Sequence, residues 1–363
     1  MPENKLIIIA FLYFFIILVG LSVAFLSNRS KERSEPNRSK ERSEPDRSKE
    51  RSEPDRSKER SEPDRSKERS ELDRVRTRFR CLNEELRRRA PADFDARTML
   101  DLPMLYINLD RSKDRREHVE KTFQECGVPT PIRISAVDGN AFVSGHEVDW
   151  LTPELASMLR ASMSAPSDLL ETVTAGEIGC TLSHIKALRF AYDQGWSEFV
   201  IFEDDICLSL MPFWPDSLSD LTRRVPSQWN FVVLSPFFCK KRCAHDLCVF
   251  EIDNCYSTAA VLGSGRVASA VASFFNSDGL LTENILCPHA SKFIADIFLW
   301  RRFSGTNYIE RLPRFVPMTS ELDSTIVTNP NIDNVAPLNE YIDAMERHLS
   351  EISSKRYLDQ KMI

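Results

Sequence analysis

Glu203, Asp204 and Asp205 stand directly behind an apolar run, Phe199-Val200-Ile201-Phe202. Three adjacent carboxylates repel one another, and burying them without compensation is costly. A divalent cation supplies that compensation. If the strand continues, positions 203 and 205 project to one side, and two oxygen ligands leave room for water and phosphates. The carboxyl end of a strand in an α/β sheet is also where ligands bind. The competing reading of the triplet is a solvated acidic turn.

Two further constellations share that part of the chain. Gly176-Glu177-Ile178-Gly179-Cys180-Thr181-Leu182-Ser183-His184 combines glycines that let backbone approach a ligand with Ser183 and His184 two turns into a helix. Helix packing around a satisfied core histidine is the alternative. Tyr106-Ile107-Asn108-Leu109-Asp110-Arg111, followed by Asp114-Arg115-Arg116, ends a strand in Asn and Asp ahead of a basic helix start. Such a segment can meet the base, ribose or phosphates of a nucleotide; a charged, solvated helix face reads the same way. No Ser/His/Asp motif of a hydrolase is present.

The elements that position these residues alternate between strand and helix. Met104–Leu109 reads as a first strand, Asp114–Cys126 as a helix closed by Gly127 and Pro129, and Ile132–Ala136 as a second strand. Thr152-Pro153-Glu154 opens a helix with Thr as N-cap and Pro in the first turn. Thr174-Ala175-Gly176-Glu177 fits a capping box for the helix that carries Ser183 and His184, ended by Gly195. Phe199–Phe202, Phe231–Leu234 and Thr258–Leu262 read as strands, and Ser291–Arg302 as a helix. This alternation predicts an α/β domain over 101–330 built on a parallel sheet, with a helical extension over 331–363.

Ahead of that domain the chain changes character. Leu6 to Leu26 is an uncharged run of 21 residues, long enough as a helix to span a hydrocarbon core of roughly 30 Å. Residues 1–27 are therefore expected to be a retained transmembrane anchor, with a long signal peptide as the alternative. Five copies of a nine-residue unit, [N/D]RSKERSE[P/L], fill 28–72 with 15 Lys+Arg against 13 Asp+Glu and nothing apolar before Leu72. With nothing to bury, the repeats are expected to be a disordered stem. Val75, Phe79, Leu82 and Leu86 recur at helical spacing and predict a linker helix within 73–100. The net charge of −8 over 73–363 argues against nucleic acid as a partner. The positive-inside rule alone places the repeats in the cytoplasm. The anchor-and-stem layout resembles type II secretory-pathway enzymes and favours the ER/Golgi lumen, where Asn37-Arg38-Ser39 is a usable glycosylation sequon.

Nine cysteines are present. Cys239, Cys243, Cys248 and Cys255 lie close together without a CxxC pair, which fits one or two disulfides in a lumenal domain or reduced thiols in a cytosolic one. Cys180 and Cys207 read as packing residues.

Taken together, YINLDRSKDRR at 106–116, AVDG at 136–139, GEIGCTLSH at 176–184 and FEDD at 202–205 resemble glycosyltransferase family 25. That family comprises bacterial lipooligosaccharide galactosyltransferases and animal procollagen galactosyltransferases. The resemblance implies a GT-A, Rossmann-like fold and a UDP-sugar donor, UDP-galactose first. It implies Mn²⁺, or another divalent cation, held by Glu203, Asp204 and Asp205. Asn108, Asp110, Arg111, Arg115, Asp138, Gly176, Ser183, His184 and Asp204 become the donor-side residues, and an inverting mechanism makes Asp296 the candidate base. Glu203 and Asp205 act in catalysis through the metal. The acceptor is a protein side chain or glycan hydroxyl, and the membrane is contacted through residues 6–26. A catalytically inactive transferase-like domain serving adhesion or assembly, and a metal-dependent nucleotide pyrophosphatase, are the alternatives.

Overall fold

The structure, a computed structural model, describes residues 80–91, 94–235, 247–249, 257–303, 306–310 and 314–317, together with 74, 77, 78, 343, 346, 347 and 350. The expected anchor, the repeat stem and Cys239, Cys243, His245 and Cys255 lie outside the described residues. No helix among the described residues is long and apolar enough to cross a membrane.

Seven strands form one sheet in the order β2-β1-β3-β7-β5-β8-β6. These are β1 (Met104–Asn108), β2 (Ile132–Ser135), β3 (Glu198–Glu203), β5 (Trp229–Val233), β6 (Leu247–Val249), β7 (Ala260–Ser264) and β8 (Thr306–Glu310). A short pair, β4 (Ile206–Cys207) with β9 (Val316–Pro317), stands apart. The expectation of a parallel sheet needs correction. β1 is parallel to β2 and β3, but β7 runs antiparallel between β3 and β5, and β6 is antiparallel to β8. Apolar strand cores carry no mark of direction, because a strand buried on both faces reads alike either way.

Strand alternation sends side chains to two cores. Met104, Tyr106, Val200, Phe202, Val232 and Leu262 face one side. The helices there are α1 (80–89), through Leu82 and Leu86, α2 (Lys113–Glu125) and α6 (Leu218–Arg224). Leu105, Ile107, Phe199, Ile201, Phe231 and Val233 face the other side. There they meet α3 (Gly139–Val143), α4 (Pro153–Ala161), α5 (Ala175–Asp193), α7 (Gly265–Ala272) and α8 (Ala295–Arg302). The result is helix, sheet, helix, and the linker helix packs on the domain through the two leucines that the spacing picked out.

Local signals set the helix ends. The Thr152 side chain accepts from the Leu155 N–H at 3.3 Å. Thr174 and Glu177 form the reciprocal capping box. Gly195 follows α5 with φ of +69°, a conformation that favours glycine. The helix expected over Ser291–Arg302 starts later, at Ala295, behind an extended Ile294 (φ −110°, ψ 125°) as its N-cap.

Candidate active site

The site forms where β1 and β3, parallel neighbours, end side by side. Ile107 pairs with Glu203 in register, so Asn108 and the acidic triplet emerge at the same edge. The three carboxylates then part. Asp204 is buried: its Oδ2 accepts from Asn108 Nδ2 at 2.5 Å and its Oδ1 from Arg115 NH1 at 2.6 Å. Asp205 lies 3.4 Å from the other arm of the Arg115 guanidinium. Glu203 turns to the opposite side. Its Oε1 accepts from Thr258 Oγ1 at 2.9 Å and lies 3.2 Å from His184 Nε2 and 4.0 Å from Cys180 Sγ.

Electrostatics follow from that packing. Burial pushes the Glu203 carboxyl up, but the His184 and Thr258 hydrogen bonds and the nearby Arg115 outweigh it and hold it below its ordinary value. Asp296, in the first turn of α8, is pushed up to about 6, first by burial and then by the charge of Glu203. Its Oδ1 is buried without a hydrogen-bond partner, as is His184 Nδ1. The Cys180 thiol is raised by burial and then by the neighbouring carboxylates of Glu203, Asp296 and Asp205.

The remaining sequence-derived residues form a rim that is largely self-satisfied. Asp110 accepts from Arg133 and from Ser135 Oγ at 2.9 Å. Arg133 also donates to Asn108 Oδ1 at 3.0 Å, so it fixes the amide that holds Asp204. Arg111 pairs with Asp138, which also caps α3 through the Asn140 N–H at 3.1 Å. Ser183 accepts from the Val137 N–H at 2.8 Å and donates to Gly179 O at 2.6 Å. A Cβ on Gly139 would sit 1.7 Å from Ala175 O, and one on Gly179 would sit 2.6 Å from Val137 O. Gly139 and Gly179 thus serve a close contact between the β2–α3 turn and α5. Gly176 lies in the first turn of α5.

Sequence reading missed Thr258 and Arg133, and it placed Cys180 in packing, whereas its sulfur faces Glu203. The Cys180-to-His184 interval, one helical turn, was the available signal for the last of these. Thr258 reaches the site only because β7 is antiparallel to β3, and no local pattern announces that.

The donor set fits a divalent cation. Cys180, His184 and Glu203 each offer a ligand atom, all within 4.8 Å of one another, while Asp205 lies against Arg115. Asp204 in this arrangement is engaged by Asn108 and Arg115.

Comparison with known proteins gives the same family that the motifs resemble. Residues 101–222 match the model of Glycosyltransferase family 25 (LPS biosynthesis protein). Procollagen galactosyltransferase 2 of Mus musculus is 33% identical over 100 residues, 28% of this chain and 15% of its own length. Procollagen galactosyltransferase 1 of Danio rerio is 31% identical over 131 residues, 35% of this chain and 20% of its own. The matches thus span a fifth or less of these relatives.

Proposed function

From a chain whose residues 101–222 match the family 25 glycosyltransferase model, we propose that it is a GT-A glycosyltransferase. It moves a hexose, galactose first, from a UDP-sugar to a protein side chain or glycan hydroxyl with inversion. The observation that carries this reading is the divided triplet. Asp204 is neutralised within the protein, while Glu203 is held ionised beside a carboxyl, Asp296, whose value of about 6 suits a base near neutral pH.

Glu203 and Asp205 would hold Mn²⁺ or another divalent cation; when bound, that ion supplies Lewis-acid neutralisation of charge on the leaving diphosphate. Arg115 and Asn108 keep Asp204 fixed and so orient the turn that carries Asp205. Asp110, Arg111, Asp138, Gly176, Ser183 and His184 shape the donor side. Asp296 takes the acceptor hydroxyl proton as the acceptor oxygen bonds to the sugar carbon and the bond from that carbon to UDP breaks. The names of the relatives support a protein acceptor. With residues 6–26 as a type II anchor, the domain would work in the ER/Golgi lumen; an anchor with the domain in the cytoplasm is the other orientation.

Incubating the full chain with a panel of UDP-sugars and Mn²⁺, with and without EDTA, tests this. Acceptor-stimulated UDP release with one sugar, abolished by EDTA and lowered by Asp205→Ala, is the expected result. Absence of both release and Mn²⁺-dependent UDP binding would favour the inactive adhesion reading. Release that no acceptor stimulates would favour a pyrophosphatase.

A further inference from the structure

Cys180 and His184 stand four residues apart on α5 and so share a helix face. The Glu203 carboxylate comes to that face from the end of β3. Glu203 Oε1 lies 4.0 Å from Cys180 Sγ and 3.2 Å from His184 Nε2. Tetrahedral zinc, with Zn–S of about 2.3 Å and Zn–N and Zn–O of about 2.0–2.1 Å, sets ligand separations of about 3.6 Å for S···O and about 3.3 Å for N···O. Shifts of less than about half an ångström in these two separations would therefore meet the requirement.

The histidine is also not an ordinary packed core residue. His184 is 1% exposed, yet Nδ1, the ring nitrogen other than the one facing Glu203, has no hydrogen-bond partner, and Asp296 Oδ1, also buried, has none either. Buried polar atoms are nearly always paired. A satisfied core histidine would use both ring nitrogens, and this one does not.

We propose that Cys180, His184 and Glu203 form a binding site for a thiophilic divalent cation, Zn²⁺ or Co²⁺. The donor set decides the class. A thiolate and an imidazole beside one carboxylate select zinc-like ions, whereas an oxygen-only set selects Mg²⁺ or Mn²⁺. Binding replaces the Cys180 S–H bond with a sulfur–metal bond and releases one proton to solvent. Glu203 is common to this site and to the Mn²⁺ pair proposed above, so the two ions compete for it; that consequence alone rests on the transferase reading.

Titrating the metal-free full chain with Co²⁺, read by absorption spectroscopy, tests the site without reference to sugar transfer. A thiolate-to-cobalt charge-transfer band that saturates, bleaches on adding Zn²⁺, disappears in Cys180→Ser and survives in Cys207→Ser is expected. No band in the wild type, or one that persists in Cys180→Ser, overturns the proposal. Should Cys180→Ser fail to fold by circular dichroism, X-ray absorption of the wild type loaded with one equivalent of Zn²⁺ decides. A single sulfur among nitrogen and oxygen neighbours supports the site, and a shell of nitrogen and oxygen alone overturns it. A chain that released no UDP would still give the band, so this proposal and the transferase reading fail separately.

Discussion

Arg115, in the first turn of α2, donates to Asp204 at 2.6 Å across 89 residues of chain. Asn108 completes the clamp from the end of β1. The middle carboxylate of the triplet is thereby neutralised from within, which keeps three adjacent charges from repelling the turn apart. Asp205 lies 3.4 Å from the other arm of the same guanidinium, and Glu203 turns to His184, Cys180 and Thr258.

Removing the guanidinium would leave the buried Asp204 without the Arg115 charge. Arg115→Ala is expected to destabilise the fold by about 2–4 kcal/mol, below the range for a fully enclosed pair because the Arg115 side chain is 19% exposed. Arg115→Lys should recover only part of this, since an ammonium cannot span both Asp204 and Asp205 as the planar fork does. Urea denaturation of the three proteins checks the order; equal midpoints would remove Arg115 from this role.

The contact between the β2–α3 turn and α5 should be intolerant of a single methyl group. Gly179→Ala places Cβ against Val137 O and the Gly139 backbone, neither of which is a flexible side-chain tip. A loss of about 1–3 kcal/mol is expected. Ser183→Ala leaves the Val137 N–H without its acceptor and should cost about 1–3 kcal/mol by a different route. Thermal unfolding of both variants measures this, with Gly145→Ala as a comparison whose Cβ meets nothing but whose φ of +100° is itself strained.

Asp296 makes stability depend on pH in a defined sense. Its folded value, raised by burial and then by Glu203 to about 6, exceeds its ordinary 3.8. Below the ordinary value the group is protonated in both states and costs nothing. As pH rises towards and through 6, the unfolded chain ionises first and the native state loses stability relative to it. In EDTA, Asp296→Asn should therefore gain on the wild type between pH 4 and pH 7 by about 2–3 kcal/mol. The same variant should lower sugar transfer by about 10²–10⁴-fold if Asp296 is the base. A stability difference flat in pH would show that the carboxyl is not held up.

Arg314, 1% exposed, donates to both oxygens of Glu310, at 2.6 and 2.8 Å, and also pairs with Asp216. Arg314→Met should cost about 3–5 kcal/mol, because it leaves Glu310 buried with little compensation. Adding Glu310→Met should restore part of the loss, because the Arg314–Glu310 pair is then replaced by apolar side chains while Asp216 keeps only Arg224 of its two arginines. A double-mutant cycle in urea measures the coupling.

Much of the site's neighbourhood is determined locally and could be read as sequence. The capping box at Thr174, the cap at Thr152, Gly195 after α5 and the apolar core of β3 ahead of its carboxylates all depend on residues a few positions apart. Backbone geometry and side-chain period act over that range. The ordered motifs likewise carried the resemblance to family 25 that the match over residues 101–222 repeats. Tertiary structure alone decided the direction of β7 and, with it, the arrival of Thr258 at Glu203. It also decided that Asn108 would spend its amide on Asp204, 96 residues away, that Gly179 would meet the Gly139 backbone, and that Cys180 would face a carboxylate. Strand direction and long-range pairing arise from how two cores close around one sheet. A run such as Phe199–Phe202 or Val261-Leu262 presents the same apolar surface whichever way its neighbour runs, so only the packed whole could choose.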